Sequence, residues 1–127
     1  SLRYASNQAV ARNERVQFSF YESRAAGCYL VHTGDRGDCW CDNGSGLAQC
    51  DNGAEALKAV FQPAGEPVRL VASFSSIHFN AGSGTTVSGG TVCVVPAAGN
   101  AIRHAVDATG RVHTCPPAAS TGVCERC

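Results

Sequence analysis

The sequence predicts an α+β domain in which one helix at the start of the chain packs on antiparallel sheets, two of them face to face, with a disulfide-clipped loop and tail, and three observations lead there. Residues 1–14 carry helical spacing. From Arg15 onward, short segments alternate with a period of two and are separated by Gly-rich turns. Eight cysteines among 127 residues supply a crosslinked framework. With 44% hydrophobic and 16% charged residues the chain can bury a real core, so disorder is excluded and a single globular domain over residues 1–127 is expected.

The helix is expected over residues 1–14, where neither Gly nor Pro intervenes. Leu2, Ala5, Ala9 and Val10 fall near one stripe, with Arg3, Asn7, Arg12 and Asn13 elsewhere. A helix this short is marginal in isolation, so it must pack on the β-rich part, residues 15–127, or continue a longer helix. Val16, Phe18 and Phe20 then alternate with Gln17, Ser19 and Tyr21, the pattern of a half-buried strand. Cys28 to His32 reads as a second strand bounded by Gly27 and Gly34. Between Thr33 and Gly53 the chain reads as a loop of Gly, Asp and Asn with three cysteines, held by crosslinks in place of apolar burial. Residues 54–61 fit a strand or a helical turn or two. After Pro63, Val68, Leu70, Ala72 and Phe74 share one face, followed by Ile77 and Phe79, and further strands are expected at Val92–Val95 and Ile102–Val106.

The last hairpin can be registered. A three-residue turn of Ala108, Thr109 and a left-handed Gly110 sets Asp107 opposite Arg111, Val106 opposite Val112, Ala105 opposite His113 and Arg103 opposite Cys115. A two-residue turn would instead carry Arg111 and His113 to the face of Ile102 and Val106, burying charge.

Ten basic residues balance ten acidic ones, so no whole-molecule field draws nucleic acid or anionic lipid, and any such binding must be local. No stretch approaches the roughly 20 apolar residues of a membrane span, and no signal-peptide pattern is present. Cysteine content nevertheless fits an oxidising, extracytoplasmic compartment, so a targeting segment is expected to have been removed. All eight cysteines are expected in disulfides, and 105 pairings are open. Spacing favours closure of Cys28, Cys39, Cys41 and Cys50 among themselves. In the strand pattern Cys93 and Cys115 point outward, opposite the neighbouring valines, where they can hold Cys124 and Cys127. Zinc is disfavoured because Cys39-x-Cys41 is too tight and no His lies at a matching interval from Cys124-x-x-Cys127. No metal and no cofactor is expected. His32, His78, His104 and His113 are scattered and no Gly-x-Ser-x-Gly elbow is present, so no catalytic residue is assigned and the chain is read as a non-enzyme.

Three segments together resemble the GspH/FimT family of pseudopilins and minor type IV pilins. Leu2–Val16 is similar to the end of a pilin helix, a run of Ala, Arg and Ser closing in Arg-Asn before the first strand. Gly27–Gly34 with Cys39-x-Cys41 and Cys50 resembles a cysteine-bearing variant of the family. Ala108–His113 resembles its terminal Gly-Arg-x-Arg hairpin. The resemblance implies a pilin-like fold and a structural role as a minor pilin or pseudopilin of a type IV pilus or type II secretion pseudopilus. It also implies an apolar anchor helix ahead of Leu2 as the only membrane contact, a periplasmic head, and other pilin subunits as partners. Leu2, Ala5, Ala9 and Val10 then form the stripe that packs on the protein's own sheet, while the rest of the helix meets its neighbours. In DNA-uptake members the closing hairpin binds phosphates through two basic side chains. Here the second basic position is His113 and Asp107 faces Arg111. DNA binding through Arg103, Arg111, His113 and Arg126 is thus the alternative within the family. Outside it, the alternative is a secreted disulfide-rich binding module.

Overall fold

The computed structural model describes residues 2–22, 26–42, 46–63, 68–86, 89–96, 100–115 and 118–119. Helix α1 runs over Leu2–Arg12 and leads into strands β1 (Val16–Glu22) and β2 (Ala26–Thr33). A short pair follows, β3 (Cys39–Asp42) and β4 (Leu47–Cys50), then β5 (Ala56–Pro63), β6 (Val68–Ala72) and β7 (Ser76–Phe79). The chain continues through β8 (Gly90–Pro96), β9 (Asn100–Val106), β10 (Val112–Thr114) and β11 (Ala118–Ala119). All pairings are antiparallel. One sheet has the order β5-β2-β1-β7. A second has the order β10-β9-β8-β6 with β11 also on β9, and β3-β4 forms a third, two-stranded sheet.

The expected helix on antiparallel sheets is therefore present, with one difference. The crosslinked stretch between Thr33 and Gly53, expected as a loop, contains the β3-β4 hairpin, which forms a third sheet beside the two larger ones. Of the two alternatives for residues 54–61, the strand is observed: β5 starts at Ala56, and its Cys28↔Phe61 and Leu30↔Ala59 pairings extend the first sheet.

Alternation decides which residues line the core. Phe18, Val31 and Ile77 are cross-strand partners in β1, β2 and β7, so they share one face of the first sheet. That face meets Val92, Val106 and Val112 of the second sheet, and Leu2, Ala5 and Ala9 of α1 close the cluster. Phe18 stacks on Tyr29 with ring centroids 5.3 Å apart and takes Phe74 edge-on at 5.9 Å. Val10 departs from its expected place: it is 51% exposed. Consecutive helical residues are separated by about 100°, so burying Ala9 turns Val10 away from the core.

The helix ends where the chain adopts positive φ at Asn13. Its otherwise orphaned Ala9 carbonyl accepts the Gly82 amide at 3.1 Å. One turn earlier, the Ser6 hydroxyl donates to the Gly84 carbonyl at 3.0 Å. The β9-β10 turn closes against the same spot. Its register matches the expected one throughout: Val106 faces Val112, Ala105 faces His113, the Asp107 amide donates to Arg111, and the Cys115 amide donates to Arg103. Gly110 is left-handed at φ 82°, and a Cβ there would overlap the Gly84 carbonyl oxygen. Helix, loop and terminal hairpin thus meet at Ser6, Gly84 and Gly110.

Two glycines separate conformational strain from lack of space. Gly37 also has positive φ, 89°, but nothing lies within 4 Å of a Cβ built there. Gly37→Ala should cost about 1–2 kcal/mol from backbone strain alone. Gly110→Ala adds a backbone overlap and should cost roughly 2–5 kcal/mol. Equal losses in denaturant melts of the two variants would show that the close approach at Gly110 carries no weight.

Candidate functional site

The first sheet's outer face is partly polar and covered. Gln17, Ser19 and Tyr21 of β1 lie there with Cys28, Leu30 and His32 of β2, by cross-strand pairing. The β3-β4 hairpin packs on this face through Cys28, Leu30, Cys39 and partly buried Tyr21, Cys41 and Phe61. The Tyr21 hydroxyl donates to the Cys39 carbonyl at 2.8 Å. Disulfides Cys28–Cys41 and Cys39–Cys50 fasten the hairpin, so the early four cysteines do close among themselves. Cys93 and Cys115 are also disulfide-bonded. They lie on the second sheet's face away from Val92 and Val112, as alternation requires, but they are buried rather than open to solvent, at 1% and 4% exposure. Cys124 and Cys127 lie outside the described residues.

On the same outer face, Ser19 and His32 form a hydrogen-bonded pair with Oγ and Nε2 3.2 Å apart, which sequence reasoning missed because it requires the β1-β2 register. His32 Nδ1 faces the Thr33 carbonyl at 2.8 Å and must carry the proton there, leaving Nε2 to accept from Ser19. Ser19 Oγ lies 3.1 Å from Ser76 Oγ, which donates to Gln17. The pairing of hydroxyl and imidazole resembles a nucleophile and its base. Yet both side chains are buried, and a backbone carbonyl orients the ring in place of a carboxylate. This chain of polar groups holds the sheet's covered face together. Among the described residues no group of three or more His, Cys, Asp or Glu could hold a metal ion.

A second, open site lies on the opposite side of the first sheet. A cavity of about 390 Å³ opens between the sheets at the start of α1, lined by Leu2, Phe18, Tyr29, Val92 and Val94. Arg3 and Val112 form the wall shared with an adjoining polar cleft of about 430 Å³, where Ser6, Thr109 and Arg111 line the far side. The Arg3 guanidinium donates to the Val112 carbonyl at 3.4 Å. Among the described residues no carboxylate lies within ion-pair distance of Arg3 or Arg111. Asp107, expected to neutralise Arg111, spends its carboxylate within the turn. The Thr109 hydroxyl and then the Arg111 and Thr109 amides hold its carboxyl below the usual carboxylate range, with a weaker pull from the Arg111 charge.

The four basic positions singled out in the sequence do not converge. Arg103 and His113 occupy the face of Cys93 and Cys115, while Arg111 lines the cleft with Arg3. Arg126 lies outside the described residues. Arg3 was missed because only tertiary packing brings the first turn of α1 to the terminal hairpin.

Stability should depend on pH through His32. Burial lowers its pKa, only partly opposed by the Thr33 carbonyl and the Asp38 charge. The unfolded chain therefore binds a proton first as pH falls. The contribution of neutral His32 is complete above about pH 6.5 and declines below it toward the lowered folded value. Asp38, held low by the Asp35 amide and the Asn52 side chain, and Asp107 act in the carboxylate range below pH 4 instead. Melts between pH 7 and pH 5 should show a falling midpoint that flattens in His32→Gln, and an unchanged slope in that variant would remove His32 as the cause.

Comparison with models of protein families matches residues 1–110 to the type II transport protein GspH. No curated protein and no solved structure matches the chain. The matched span begins with α1, includes the cysteine-clipped hairpin and reaches the glycine that closes the terminal turn against the helix. The chain belongs to the GspH family of pseudopilins.

Proposed function

We propose that this protein is a structural, non-enzymatic subunit, a minor pseudopilin or minor pilin, incorporated into a type II secretion pseudopilus or a type IV pilus. Family membership supports that reading, since the GspH family is one of pseudopilins. The observation that carries it for this chain is the two-sided helix. Leu2, Ala5 and Ala9 are spent on the protein's own core, while Asn7, Val10 and Ala11 form an exposed stripe along the other side. Such a stripe suits contact with the helices of neighbouring subunits. In this reading an apolar segment upstream of Leu2 anchors the subunit in the inner membrane, and residues 15–127 form the head in the periplasm. Among the described residues no helix is long and apolar enough to cross a membrane.

Val10 tests the assembly surface without disturbing the core. Val10→Glu should leave the melting midpoint of the purified protein nearly unchanged, within about 0.5 kcal/mol in stability. In the native host, the full-length variant should be depleted from sheared filaments or cross-linked pseudopilus complexes. Normal incorporation would count against helix packing through this stripe.

The DNA-uptake alternative is favoured by Arg3 and Arg111 having no carboxylate within ion-pair distance among the described residues, and is weakened by the placement of Arg103 and His113 on a different face. Backbone-phosphate binding is strongest at low salt. No mobility shift of duplex DNA is expected at about 50 mM salt. A shift that disappears in Arg111→Ala would replace the purely structural reading.

A further inference from the structure

The chain's single tryptophan is not in the core. Trp40 is 41% exposed and Leu47 is 61% exposed, two of the four large exposed hydrophobics among the described residues. Both stand on the β3-β4 hairpin. The register pairs Trp40 with Gln49 and Asp42 with Leu47, so these four side chains share the hairpin's outward face while the cysteines turn inward. Two disulfides and the Tyr21–Cys39 bond hold this small platform rigid. A preorganised aromatic loses little conformational freedom on binding. Between Thr33 and Gly53 the sequence has four aspartates, Asp35, Asp38, Asp42 and Asp51, against one arginine, Arg36, and Asp35 is ion-paired to Arg15 at 2.9 Å, which leaves an excess of two negative charges. The knob is therefore aromatic, aliphatic and acidic.

The open site has the opposite shape and charge. Its cavity is apolar, with Phe18 and Tyr29 on its walls and room for an indole, and Arg3 and Arg111 stand beside it. Phe18 and Tyr29 belong to the helix-side face of the first sheet, whereas the hairpin covers the reverse face, so one molecule cannot fill its own cavity. Two complementary patches on opposite sides of a molecule make a heterologous contact, which repeats in an open series rather than closing on a two-fold axis.

We propose that the cavity between the two large sheets receives the Trp40–Leu47 knob of a second copy of this chain, with Arg3 and Arg111 facing the partner's acidic hairpin, so that heads associate head to tail. The partner is a second copy because this chain presents both the apolar socket with its cationic rim and the aromatic knob with its acidic surroundings. This deepens the filament-subunit reading and rests on it for its setting. The contact is measurable in solution, so its failure and a failure of the Val10 experiment are separate results.

The test mixes two defective versions of the 127-residue chain. Trp40→Ala with Leu47→Ser removes the knob and leaves the socket; Arg3→Glu with Arg111→Glu spoils the socket and leaves the knob. All four residues are exposed, and circular dichroism confirms folding of each variant. By sedimentation velocity the unaltered chain should associate as its concentration rises from about 10 μM to 1 mM, the weak end of protein affinities. Each variant alone should remain monomeric, with apparent affinity reduced about tenfold or more. An equimolar mixture should form dimers and nothing larger, because only one knob and one socket remain usable. Added salt should weaken that dimer. A mixture that stays monomeric, or a knob-deficient variant that associates as well as the unaltered chain, would overturn the proposal.

Discussion

Close approach of α1 to both large sheets at once is the constraint on which the remaining structure depends. Ala5 and Ala9 are fully buried, and their small side chains let the helix backbone descend until the Gly82 amide reaches the Ala9 carbonyl and Ser6 reaches Gly84. Gly110 completes the same junction from the terminal hairpin, where even a methyl group would meet the Gly84 carbonyl. Bulk at any of these places would lift the helix and separate Leu2 from the cluster that joins Phe18, Ile77 and Val106. The same descent carries Arg3 to the Val112 carbonyl and so creates the cationic wall of the cleft. Packing of small residues thus determines where the charged surface lies.

The first sheet has two faces and only one helix. Its inner face is closed by α1 and the second sheet, while its outer face carries Gln17, Ser19 and His32, which cannot be left buried without partners. The fold answers with a polar chain through Ser76, and with a hairpin packed on the Cys28 and Leu30 part of the same face. Two strands of four residues are too short to hold themselves by burial. Disulfides that bridge separations of 13 and 11 residues supply the missing restraint, each worth about 3 kcal/mol by constraining the unfolded chain. Because the cysteines all turn inward, Trp40 and Gln49 have no inward position available and stand out in solvent.

Much of this was legible in local pattern. The alternation of Val16, Phe18 and Phe20 against Gln17, Ser19 and Tyr21 marked β1, and turn chemistry alone gave the correct register from Val106–Val112 to Arg103–Cys115. The hairpin at Cys39–Cys50 was not legible, because strands of four residues rich in Cys, Asp and Gln lack the apolar alternation that signals a sheet, and their stability is covalent. Val10 was misplaced because a stripe drawn through four residues ignored how narrow the buried arc of a two-sheet contact is. Arg3 could not be tied to Arg111 by any local signal, since 108 positions separate them in the sequence. The Ser19–His32 pair was hidden for the same reason, being a diagonal contact that exists only once β1 and β2 are in register.

The terminal Gly-Arg-x-His hairpin shows why a short motif can report on fold more securely than on activity. Gly110 is required by its φ of 82° and by the helix-side loop pressed against it, reasons that hold whatever the protein binds. Arg111 is under no such demand; its amide serves the Asp107 turn while the residue lines the cleft. Substitution at 110 acts on the junction that seats the helix, whereas substitution at 111 acts on the surface the junction presents. Position 113 faces away from that cleft, on the side of the disulfide-bonded Cys115, so a second basic residue there would not reinforce Arg111 in this fold. The residue that does reinforce it is Arg3, delivered by the helix. A phosphate or carboxylate engaging this surface therefore meets two elements at once, and the orientation of α1 controls the spacing of the two charges.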